Sequence, residues 1–126
     1  MTRLFTAAAV AASAAFAIAA CGGSSSTGPS SPTTTVTIAN NTVSPKNIQV
    51  MRGTQVTFIN NDAQSHNMTS NPHPEHTDCP EINSVGLINP GQTKRTDNMT
   101  TNRAVCGFHD HDRPDVAGLQ GSITIQ

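Results

Sequence analysis

The residues in this sequence best equipped for chemistry are one thiol and a group of imidazoles. The stretch Val105-Cys106-Gly107-Phe108-His109-Asp110-His111 carries Cys106, His109 and His111 close together, and the earlier Ser65-His66-Asn67 supplies another imidazole. A further pair, His73-Pro74-Glu75-His76, precedes Cys79. With five histidines, three cysteines and only 3% aromatic residues, these soft and borderline ligands stand out. A thiolate satisfies Cu(I) and imidazoles accept Cu(II), so a thiolate and two imidazoles gathered at strand ends would make a copper site serving both oxidation states. If the loops carrying His73/His76 and His109/His111 meet above His66, four or five imidazoles converge and would make a Cu(II) or Zn(II) site without any thiolate.

The thiol has a competing fate. A secreted domain with two late cysteines is by default a disulfide domain, so Cys79 and Cys106 could be joined. Such a bridge would contribute about 3.5 kcal/mol in the chain-entropy picture. It would also remove the thiolate. Both outcomes are open at the level of the sequence.

The rest of the composition narrows the function. The chain has 126 residues, a formal net charge of -1 and a pI of about 6.5. No basic stripe exists to neutralise phosphates, which excludes nucleic acid as a partner. Trp and Tyr are absent, and Phe58 and Phe108 are the only aromatic carbocycles after the first segment. An aromatic platform for a substrate is therefore not expected. An enzyme is not expected either, since it would need an open coordination position beside a general base and the sequence identifies none.

Residues 1–20 read as a signal segment, with Arg3 followed by an Ala-rich apolar run too weak and short for a membrane span. It ends in Ile18-Ala19-Ala20-Cys21, which resembles a bacterial lipobox, with Cys21 as the lipidated residue. The alternative is an ordinary signal peptide that leaves Cys21 as a bystander. Residues 21–33 are rich in Gly, Ser and Pro and form a tether with an r.m.s. reach of about 20 Å. The protein is thus expected outside the cytoplasm, held on a bacterial membrane through lipid, in the periplasm or at the cell surface.

These ligands need a scaffold, and residues 34–126 supply an all-β pattern. Val36/Ile38, Ile48/Val50, Val56/Phe58 and Ile123/Ile125 alternate with polar neighbours, each one face of a half-buried strand. Asn40-Asn41, Ser44-Pro45, Arg52-Gly53 and Asn60-Asn61-Asp62 punctuate them as turns. The expected architecture is a Greek-key antiparallel sandwich or barrel. A core this small gains from a staple, either metal or disulfide.

Several of these segments, in their order, resemble the cupredoxins, the plastocyanin-like blue copper proteins. Arg52 to Asp62 followed by His66-Asn67 resembles the strand that delivers the family's first histidine. Asn89-Pro90-Gly91-Gln92 resembles its Pro-Gly turn, Cys106-Gly107-Phe108-His109 its Cys-x-x-His, and Leu119 to Ile123 its closing strand. The resemblance implies copper held by His66, Cys106 and His109, with the Asn67 N–H directed at the sulfur. Leu119 falls at the axial position, where it cannot coordinate, and Gly107 lacks the hydroxyl that often follows the ligand cysteine. On this reading the chain is a monomeric, membrane-tethered one-electron carrier with a redox protein as partner. The alternative is a copper buffering or delivery module with a copper-exchange partner, using the histidine-rich loops, His73, His76 and His111 included, beside a Cys79–Cys106 disulfide. A copper enzyme and a metal-free adhesion domain stand behind these two.

Overall fold

The computed structural model describes residues 32–126. The expected signal segment, the lipidated Cys21 and nearly all of the tether lie outside the described residues. Nine strands follow: β1 (Thr35–Ala39), β2 (Thr42–Ser44), β3 (Asn47–Val50), β4 (Thr57–Asn60), β5 (His66–Ser70), β6 (Gly86–Ile88), β7 (Thr93–Arg95), β8 (Val105–Asp110) and β9 (Gly121–Ile125). Short 3-10 turns occupy Pro80–Ser84 and Ala117–Leu119. Among the described residues no helix is long and apolar enough to cross a membrane.

The strands form two sheets, β2-β1-β4-β7 and β3-β9-β8-β5-β6. The sequence predicts antiparallel pairing, and most pairs are antiparallel, but β1 with β4 and β3 with β9 run parallel. Parallel neighbours require a crossover connection. Here the chain supplies it by passing through β2 and β3 before β4 returns beside β1. The sheets are therefore mixed, and the architecture is a β-sandwich.

The alternation read from the sequence becomes the core. Val36, Ile38, Ile48, Val50, Phe58 and Ile123 are all buried. Phe58 of one sheet meets Phe108 of the other edge-to-face, with centroids 5.2 Å apart, a geometry that adds stabilisation beyond burial. Gly121 makes room for this pair, since a Cβ there would come within 2.9 Å of Phe108 Cε1. Asn40 and Asn41 turn β1 into β2 with φ of 52° and 53°, the left-handed conformation that a tight hairpin demands and asparagine tolerates. The Asp62 carboxylate accepts both of their backbone N–H groups.

Candidate metal centre

Strand parity decides which ligands can meet. Side chains alternate across a strand, so residues two apart share a face and residues three apart do not. β8 stays extended through His109 and Asp110, which turns Cys106, Phe108 and Asp110 toward the interior and puts Gly107 and His109 on the opposite face. Cys106 is buried and joined to Cys79, with Cα atoms 5.7 Å apart. The expected ligand trio of His66, Cys106 and His109 is therefore not assembled: the sulfur is bonded to sulfur, and its strand neighbour His109 faces the other way.

On that other face lies an imidazole cluster. The His111 N–H donates to the Asn67 carbonyl at 2.7 Å, which continues the ladder past β8 and keeps His111 beside His109. The segment after β5 folds back over this face: the Asn71 N–H donates to the Gly107 carbonyl at 3.0 Å, and the His76 N–H closes a turn onto the Pro72 carbonyl at 2.7 Å. His73 and His76 thereby land on the histidines of β8. The His73 ring lies 5.5 Å from that of His76, 5.5 Å from that of His109 and 5.1 Å from that of His111. The His76 ring lies 5.1 Å from that of His109 and 4.9 Å from that of His111. One donor nitrogen from each of His73, His76 and His111 lies within 4.8 Å of the others. Four of the five histidines are thus gathered in one place, and none of the four touches Cys106 through a hydrogen bond.

Hydrogen bonds outside the cluster select the tautomers. His76 Nδ1 lies 2.8 Å from the Ser70 carbonyl, which can only accept. The ring therefore carries its proton there and turns a lone pair on Nε2 toward His111 Nδ1, 2.8 Å away. Partners of this kind orient metal-binding imidazoles and raise their basicity. Burial, with the neighbouring His76, His73 and His111 imidazoles adding to it, pulls the His109 imidazole below the usual 6.5, so this ring stays neutral further into acid. A metal ion competes with protons for such nitrogens, and neutral imidazole is the form it needs.

His66 has a different place. Period-2 alternation along β5 points it inward with Met68 and Ser70, and it is fully buried. Its Nδ1 lies 2.9 Å from Asp110 Oδ2 and its Nε2 lies 3.0 Å from Asp62 Oδ2. Each ring nitrogen thus faces a carboxylate oxygen, which can only accept. Arg113 joins the group, with its Nη2 3.1 Å from His66 Nδ1 and 3.4 Å from Asp110 Oδ2. Burial alone would raise the Asp62 carboxyl, but the Asn41 N–H, the His66 ring and the Asn40 N–H outweigh it and hold it below 3.8.

One further expectation is corrected: the Asn67 N–H does not face a sulfur but donates to Asp110 Oδ1 at 3.2 Å. Leu119, expected at the axial position, is buried in the core on the 3-10 turn before β9. The residue that the sequence reading missed is Asn71. Its Oδ1 lies 2.7 Å from His109 Nδ1, and only its place directly after β5, opposite a glycine, could have signalled it.

No family model and no curated protein matches the chain. Solved structures do. A purple cupredoxin from Nitrosopumilus maritimus is 20% identical, covers 73% of this chain and 98% of its own, and superposes with a TM-score of 0.54. The oxidised plastocyanin of Dryopteris crassirhizoma is 17% identical over 73% of this chain and 99% of its own, at 0.54. An amicyanin variant in its Cu(I) form is 19% identical over 73% of this chain and 80% of its own, at 0.55. These likenesses establish the fold of the described domain as that of the cupredoxins.

Proposed function

We propose that this cupredoxin-fold domain binds copper as Cu(II) through imidazoles alone, with His73, His76 and His111 as the first ligands, and that it stores the ion or passes it on. One observation carries the reading: three donor nitrogens lie within 4.8 Å of one another on one face of β8, while the cysteine on the other face is tied up in a disulfide. Nitrogen donors without thiolate or thioether favour Cu(II) over the softer Cu(I). Bound copper would be a divalent centre held by neutral imidazoles. Binding would displace the hydrogen bond between His76 Nε2 and His111 Nδ1 and move the His111 proton to Nε2.

The one-electron carrier expected from the family resemblance needs the Cys106 thiolate, so buffering or delivery takes precedence over it. His73 is exposed, which gives a copper-exchange partner an accessible ligand to take over. A disulfide fits an oxidising compartment, in keeping with an extracytoplasmic protein anchored through Cys21 by lipid. No chemical step on a substrate is assigned to the domain.

Titration with Cu(II) tests this reading. One equivalent should bind and give a weak d–d band with nitrogen hyperfine structure in the paramagnetic resonance spectrum. Substituting His76→Ala or His111→Ala should weaken binding at least as strongly as the 10–100-fold typical of losing a supporting group. An intense blue or purple colour, or undiminished affinity in both variants, would refute it.

A further inference from the structure

The fourth histidine of the cluster is held in a way that the three-ligand reading does not use. His109 is 3% exposed, and its Nδ1 lies 2.7 Å from Asn71 Oδ1. An amide oxygen only accepts, so the His109 proton sits on Nδ1 and the lone pair on Nε2. That Nε2 is buried and has no hydrogen-bond partner. A buried acceptor without a partner costs free energy unless something binds it, so such an atom calls for an explanation. The rings of His76 and His73 lie 5.1 and 5.5 Å away. His73, His109 and Asn71 also line an open cleft of about 710 Å³, through which an ion can arrive.

Asn71 depends in turn on Gly107. A Cβ at position 107 would lie within 2.9 Å of Asn71 Cγ and closer still to its Nδ2. Only glycine leaves the Asn71 amide its place above the strand, next to the histidine two residues further on. Gly107 stands where the family resemblance would put a hydroxyl, and its absence of side chain is used.

We propose that Asn71, seated in the space left by Gly107, holds His109 as a fourth nitrogen ligand through Nε2, completing a four-imidazole copper site with His73, His76 and His111. This rests on the three-imidazole reading above and extends it. Asn71 touches no metal in this arrangement; it is a positioning residue that acts through His109 by fixing the tautomer and the ring plane.

Two measurements on the full chain test it. In the metal-free protein, nitrogen–proton correlation spectra should show His109 as the Nδ1–H tautomer. Asn71→Leu should shift it to a mixture, while Asn71→Asp, which keeps an acceptor, should preserve it. With Cu(II) bound, the wild type and Asn71→Asp should show four coupled nitrogens. Asn71→Leu and Gly107→Ala should show three, with affinity lower by about 10–100-fold. An Nε2–H tautomer in the wild type, or four nitrogens and unchanged affinity in Asn71→Leu, would overturn the assignment. Failure of the wild type to take up Cu(II) would instead overturn the three-imidazole reading and this extension with it. The metal-free tautomer would still show whether Asn71 orients His109.

Discussion

Cys106 and His109 occupy opposite faces of β8, the first bridged to Cys79 in the interior and the second covered by the segment carrying His73 and His76. A single sulfur–copper bond cannot coexist with that arrangement. The late cysteines should therefore give no free thiol: denatured protein carrying Cys21→Ser is expected to show none by thiol titration. The double variant Cys79→Ala/Cys106→Ala, which opens a loop with a sequence separation of 27, should lose about 3.5 kcal/mol in denaturant unfolding. A reactive thiol in the folded, air-exposed protein would reverse the conclusion.

The His66 group makes a prediction of opposite sign to the family resemblance. If His66 were a copper ligand, His66→Ala would abolish copper binding. In this structure the ring is fully buried between Asp62 and Asp110, and its removal leaves the Asp110 carboxylate without that partner. Removing one partner of a buried hydrogen-bonded group costs about 1–3 kcal/mol. His66→Ala should thus lower the unfolding midpoint sharply yet still bind one Cu(II) under conditions where it is folded.

Metal preference follows from the donor set. Nitrogen-only sites bind first-row divalent ions in the order that peaks at copper, so Cu(II) should displace Zn(II) and Ni(II) in competition titrations. Added reductant should weaken retention, because no thiolate or thioether is present in the cluster to hold Cu(I). Equal affinity for Cu(I) and Cu(II) would argue for an electron carrier after all.

Acidity should act on both the fold and the metal. His109 titrates below its unfolded value of about 6.5. As the pH falls through 6.5 the unfolded chain takes up this proton before the folded one, so stability declines until the folded ring also titrates, and rises again toward neutral pH. Asp62, held below 3.8, stabilises the fold above that value and ceases to do so as the pH drops through its folded pKa. Denaturant midpoints of the metal-free protein should therefore decrease as the pH falls below about 6.5 and again in stronger acid, with the first decrease absent in His109→Gln. Copper affinity should fall over the first range as protons compete for the imidazoles.

Much of the scaffold could be read without coordinates. Val36/Ile38, Ile48/Val50 and Ile123/Ile125 alternate in the sequence and are buried together in the structure, because a period of two can bury only one face of a strand. The Asn40-Asn41 turn was legible for the same local reason. The parallel pairing of β1 with β4 was not, since nothing within either strand encodes which distant neighbour it meets.

At the site, the sequence by itself determined the inventory of donors and the closeness of His109 and His111 in an His-x-His pair. Whether Cys106 joined them hung on how far β8 stays extended, and a strand that continues through Asp110 sends the sulfur inward to Cys79. Only the tertiary structure decided that the segment after β5 folds onto β8, bringing in His73, His76 and Asn71 while His66 remains behind in the core. The physical reason is that parity along a strand is local, whereas the contact between a loop and a strand far along the chain depends on packing that no short stretch of sequence specifies.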